Sequence, residues 1–187
     1  MKKNLILLLI FSTTIMSFAQ QSSIKSFKGY FNFSYNEESG SITMEVKELN
    51  REFLYVSSLS SGIGSNDIGL DRGQLGGERI VKFIKTGNKL LLVQPNQDYR
   101  ALTDNELERN SIEQAFAKSV LFGFPIQQEK EGSYFIDVTP FLLQDMHGVS
   151  NRLKQAGEGQ YNLDKTKSAI WLERTKAFPK NIELDVL

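Results

Sequence analysis

The sequence contains no cysteine and a single histidine, His147, in 187 residues. Without cysteine there is no thiol nucleophile, no thiolate metal ligand and no disulfide, so packing alone must hold the fold. One histidine cannot build the H-E-x-x-H zinc helix, which needs two histidines a turn apart on one face. A serine nucleophile would have to recruit His147, and no G-x-S-x-G elbow accompanies it. In QDMHGVS, His147 falls between two predicted short helices and reads as a helix-end or half-buried residue. The carboxylates are many, but no spacing selects a pair, which leaves a glycosidase reading unsupported.

An excess of either charge is also missing, with 22 basic and 22 acidic side chains in the whole chain. Long apolar runs are confined to the first twenty residues, MKKNLILLLIFSTTIMSFAQ. Lys2 and Lys3 form a basic start, Leu5 to Met16 an apolar stretch, and Ser17-Phe18-Ala19 a small-x-small cleavage site. This pattern predicts a signal peptide over residues 1–19 and a domain over 20–187; the run is too short and broken for a resident membrane span. The expected location is therefore outside the cytoplasm, periplasmic or extracellular, with no membrane span after cleavage. Removing the leader leaves 20 basic and 22 acidic residues, a balance that speaks against nonspecific nucleic-acid binding. Aromatics at 11% point to a buried core and away from disorder.

The sequence does have glycine, and much of it lies in one stretch. SGIGSNDIGLDRGQLGGER, from Ser61 to Arg79, holds six glycines, three carboxylates and two arginines. It lacks the G-K-[ST] of a phosphate loop. Asp67 stands where a dinucleotide fingerprint needs its third glycine, and no amphipathic helix follows. Asn66, Asp67, Asp71 and Glu78 could offer oxygen ligands, but not at the spacing of a calcium loop. Ile63, Ile68, Leu70 and Leu75 favour an ordered loop anchored to a surface, and loops of this length are commonly functional.

Elsewhere the periodicity predicts mainly antiparallel hairpins. Phe31, Phe33 and Tyr35, then Ile42, Met44 and Val46, alternate around Glu38-Ser39-Gly40. Residues 51–59 read as a strand buried on both faces. Residues 78–94 form a second hairpin turning at Thr86-Gly87-Asn88. One long helix is predicted from Leu102 to Gly123, with a Thr103/Glu106 capping box and a Leu102/Leu107 staple. Its apolar face would carry Ile112, Ala115, Phe116, Ser119 and Val120, and Gly123 and Pro125 would end it. A strand pair turns at Gly132. Thr139-Pro140 opens a short helix with Thr139 as cap, and a second short helix spans Val149 to Gln155. SAIWLERT and NIELDVL are strand-like. The fold class is α+β, and its last strand ends without a turn or polar tail, which suits either a tucked terminal strand or an incomplete fold.

REFLYVSSLSSGIGSNDIGLDRGQLGGERIVKF, LLLVQPNQDYRA, AFAKSVLFGFPI, DMHGVSNRL and RTKAFPKNIE together resemble one family. It is the uncharacterised domain near the N-terminus of large secreted bacterial zinc-dependent metalloproteases. The resemblance runs from about Phe27 to Leu187, with the glycine-rich run and Arg174 to Asn181 as its most specific parts. It implies a non-catalytic domain, inactive alone, whose zincin-type catalytic region lies further along a longer chain. The family pattern continues past Leu187, which favours the incomplete fold. No catalytic or metal residue carries over, and zinc is implied only for that other region. The implied partner is a catalytic domain in cis or in trans, with peptide substrate as a further contact. Asp67, Asp71, Arg72, Gly73, Gly76, Gly77 and Arg79 are the candidate interdomain or cleft residues. Loop-internal salt bridges are the competing reading of the charged ones. A free-standing secreted binding or protease-inhibitory module is the alternative function.

Overall fold

Alternation at every second residue builds most of the chain. The computed structural model describes residues 23–64, 66–99 and 101–187; the leader expected over 1–19 lies outside them. The elements are β1 (Ile24–Phe27), β2 (Asn32–Asn36), β3 (Ser41–Val46), β4 (Glu52–Tyr55), β5 (Arg79–Thr86), β6 (Lys89–Gln94), α1 (Glu106–Ala115), β7 (Ser119–Lys130), β8 (Ser133–Asp137), α2 (Thr139–Leu142), α3 (Val149–Gln155), β9 (Lys176–Ala177) and β10 (Ile182–Glu183). Among the described residues, no helix is long and apolar enough to cross a membrane.

Eight strands form one sheet in the order β1-β2-β3-β8-β7-β6-β5-β4, antiparallel throughout. β7 joins its two halves. Residues Ser119 to Pro125 pair with β6, and Ile126 to Lys130 pair with β8. Register shifts at Leu92/Val93 and Ile126/Gln128 bend the sheet at both seams, since a bulge adds local twist and curvature. The sheet therefore curls. Phe31, at the β1–β2 corner, reaches Phe53 on β4 at 5.1 Å and Phe83 on β5 at 6.0 Å between ring centres.

The concave face holds the core. Ile42, Met44 and Val46 from β3, Val81 and Phe83 from β5, Leu90 and Leu92 from β6, Phe124 from β7 and Ile136 from β8 are all buried. They follow the inward positions of each strand, as a half-buried sheet requires. Phe141 on α2 closes one end, with its ring 5.6 Å from Tyr55 and 5.5 Å from Phe122. Both predicted hairpins form, with Gly40 at φ 66° and Gly87 at φ 55°. α3 covers the predicted Val149 to Gln155.

Three expectations need correction. The long helix from Leu102 to Gly123 is absent; α1 has ten residues and an Asn105 cap, whose side chain accepts from the Leu107 N–H. Thr103 does not form the capping box: its hydroxyl accepts from the Asn105 N–H. Ser119, Val120, Gly123 and Pro125 lie in β7, because Val120-Leu121-Phe122-Gly123-Phe124 is claimed by pairing with β6, and tertiary pairing outweighs a weak helical period. Second, β4 is not buried on both faces. Leu54 is 61% exposed, as suits the last strand of the sheet. Third, Thr139 lies inside α2, and its hydroxyl accepts from the Ile42 N–H at 2.8 Å, tying the helix to β3. SAIWLERT contributes a bridge at Ile170 and a 3-10 turn over Leu172–Arg174. The terminal segment is paired: β10 lies on β9, Val186 bridges Ile170, and Leu187 exchanges two backbone hydrogen bonds with Ala169.

The C-terminal hairpin docks on the β1–β2 corner, where the Tyr30 N–H donates to the Phe178 carbonyl at 2.8 Å. A Cβ at Gly29 would lie 2.7 Å from that carbonyl oxygen and 2.9 Å from the Ala177 methyl. Gly29→Ala is therefore expected to lower stability by about 1–3 kcal/mol, as overpacking against backbone does. Urea unfolding of the variant checks this, and an unchanged midpoint would contradict the docking.

Candidate functional site

The glycine-rich run extends the β4–β5 hairpin past the end of the regular ladder. Gly76 N–H donates to the Ser57 carbonyl at 2.7 Å, Gly73 N–H to Leu59 at 2.7 Å, and Leu59 N–H to Gln74 at 3.0 Å. Ser58 and Leu75 form a bridge, and Ile63 N–H reaches the Leu70 carbonyl at 3.2 Å. A 3-10 turn over Asn66–Ile68 forms the tip. Two anchors hold it. Leu70 is fully buried, and the Arg152 guanidinium of α3 donates to the Gly69 carbonyl at 2.6 Å. Gly69 and Gly73 adopt left-handed backbone, φ 68° and 81°, which glycine enters without cost. Gly62 serves a close approach instead: a Cβ there would meet the Arg72 nitrogen at 2.9 Å.

This arrangement separates the seven candidate residues into two groups. Asp67, Asp71 and Arg72 are exposed near the tip, beside Gly73. Gly76, Gly77 and Arg79 lie at the base, where the hairpin meets the α2–α3 connection. No ion pair joins the charged residues of the run among the described residues. Loop-internal salt bridging therefore does not account for them. Nor do three or more acidic or histidine side chains gather as a metal site among the described residues.

At the base lies a crevice of about 130 Å³, lined by Tyr55, Ser57, Gly77, Arg79, Leu121, Phe141, Gln144 and Met146. Tyr55 and Arg79 are opposite partners in the β4–β5 ladder, on the concave face. The Arg79 Nη1 donates to the Gln94 side-chain oxygen at 2.9 Å, and the Tyr55 hydroxyl to the Met146 sulfur at 3.6 Å. Burial pushes the Tyr55 phenol above its ordinary value, and the Arg79 charge draws it partly back. His147 sits behind Gly76: a Cβ on that glycine would lie 3.3 Å from the His147 Cε1, and the ring's Nε2 is buried with no partner among the described residues. Sequence reading did not find Tyr55, Ser57, Gln144 or Arg152, because no spacing links them; Arg152 meets Gly69 across 83 positions.

A family model matches residues 73–187, described as Domain of unknown function (DUF5117). The chain belongs to this family. Its match begins inside the glycine-rich run, so Gly73, Gly76, Gly77 and Arg79 fall within the DUF5117 segment, and Asp67, Asp71 and Arg72 precede it. The description agrees with an uncharacterised domain and names no activity. Neither the curated proteins nor the solved structures give a match.

Two outcomes follow from the site geometry. Gly62→Ala should cost about 1–3 kcal/mol by forcing the Arg72 backbone away, whereas equal stability would mean the run is not held as described. For Tyr55, the raised folded value favours the neutral phenol, so its contribution to stability is complete below pH 10.0, the ordinary phenol value, and is lost as pH rises through the higher folded one. Ultraviolet titration should show a late phenolate step that Tyr55→Phe removes. A step no later than those of the other tyrosines would contradict the burial.

Proposed function

We propose that this chain is the exported, non-catalytic N-terminal portion of a zinc-dependent metalloprotease. It would pack on, or shape the cleft of, a catalytic domain outside these residues, in cis or in trans. One observation supports the reading most. The glycine-rich hairpin is ordered and anchored, yet Ile63 and Leu75 are 44% and 57% exposed. Beside them Asp67, Asp71 and Arg72 stand without ion-pair partners among the described residues. Apolar side chains interspersed with uncompensated charge on a rigid element make a contact surface with a polar rim. Zinc and the general base would belong to the partner, since a single histidine cannot supply a zincin site.

The test uses the mature chain and a separately produced H-E-x-x-H domain encoded by the same gene or beside it. Calorimetry should show association, and Ile63→Asp with Leu75→Asp should weaken it by at least about tenfold, as loss of apolar contacts at an interface does. The chain alone should neither hydrolyse casein nor retain stoichiometric zinc. Chelator-sensitive proteolysis by the chain alone would overturn the proposal, as would failure to associate. Association combined with inhibition of the protease would favour the secreted inhibitory module.

A further inference from the structure

On β5, the inward-facing Val81 and Phe83 are followed toward the α2 end by Arg79, which lies opposite Tyr55 and bonds the Gln94 side chain. An arginine facing the interior of a sheet ordinarily has a carboxylate partner, because an uncompensated charge there is costly. Arg79 is half-buried and has none among the described residues. Asp145, between the lining residues Gln144 and Met146 in sequence, is already engaged, with Oδ1 accepting from the Val149 N–H at 2.6 Å and Oδ2 from the Ser150 N–H at 2.9 Å.

The guanidinium's hydrogen bonding is one-sided. Nη1 is taken by Gln94, while Nε and Nη2 have no partner among the described residues. Those two nitrogens form the edge that grips a carboxylate with two parallel hydrogen bonds. They lie beside Gly77, where an added Cβ would stand 3.8 Å from Nη2 and 3.9 Å from Nε. The absence of a side chain at Gly77 leaves that edge clear. Ser57 and Gln144 add neutral hydrogen-bonding groups to the lining, and Phe141 and Met146 supply apolar walls. Among the described residues, no acidic side chain lines the crevice. Its volume of about 130 Å³ falls below the roughly 300 Å³ where small-molecule pockets begin, so it suits one functional group and not a whole large ligand.

We infer that the crevice is a carboxylate-binding site, in which the Nε and Nη2 edge of Arg79 grips the anion beside Gly77. This stands independently of the metalloprotease reading. The carboxylate can come from a polypeptide, as a chain end, or from a free small carboxylic acid, and the probes separate these sources.

The experiment is an NMR titration of the folded mature chain at constant ionic strength, following the Arg79 Nε–H and Gly77 N–H. The probes are acetate, chloride, a neutral-side-chain tripeptide with a free C-terminus, and its amide. Acetate should give saturable shifts at both positions in the millimolar range, and chloride none. Arg79→Lys should weaken acetate by about tenfold or more, since it loses the bidentate grip. Arg79→Gln should abolish the shifts, with thermal unfolding confirming that each variant is folded. Tighter binding of the tripeptide acid than of acetate supports the site and assigns it to chain ends. Acetate binding with no tripeptide binding supports it and assigns it to small acids. Should Arg79→Gln prove unfolded, Gly77→Val takes its place, because its branched side chain would cover the free edge and should remove acetate binding. The inference is overturned if acetate gives no saturable shift, if chloride matches it, if the amide binds as well as the acid, or if a folded Arg79→Gln or Gly77→Val responds like the parent.

Discussion

One strand holds the two halves of this protein together. β7 gives its first residues to β6 and its last to β8, with a register shift at each seam. Without that double pairing, β1-β2-β3-β8 and β6-β5-β4 would be separate ladders, each with an exposed apolar face. With it they form one curled layer whose concave side packs on itself. Rings from distant strands then meet, Phe31 with Phe53 and Phe83, and Phe83 with Phe124 at 6.0 Å. In a chain without cysteine, this packing is the main source of cohesion.

The curl also determines where the site can be. A curled sheet has open ends, and α2 plugs one of them with Phe141. At the rim of that plug the inward row changes from apolar to polar, and the β4–β5 hairpin continues outward as the glycine-rich run. The exposed tip and the Arg79 crevice are thus two ends of a single element. Its position is fixed by Leu70 burial, the Arg152 hydrogen bond and the close approaches at Gly62 and Gly76. Glycine here permits close approaches that a side chain would block.

Much of this was legible in the sequence where period-2 alternation and turn chemistry agree. The hairpins at Gly40, Gly87 and Gly132 and the helix from Val149 to Gln155 follow directly. The segment around Val120 misled, because Ile112, Phe116 and Val120 also fit a helical face. Which period wins depends on β6, a partner distant in sequence. Of the four apolar residues expected to anchor the glycine-rich run, Leu70 is buried, whereas Ile63 and Leu75 are exposed. The run's hairpin pairing was not visible, since neither arm alternates, and the crevice needs Tyr55, Arg79 and Gln144 from three separate segments. The family match and the resemblance agree on an uncharacterised domain.

The glycine-rich run is a fixed hairpin and not a loose loop. Amide hydrogen exchange of Gly73 and Gly76 tests it most directly, since their N–H groups are bonded to Leu59 and Ser57. Protection approaching that of the β4–β5 ladder amides is the predicted result. Exchange at the rate of an unstructured chain would contradict it.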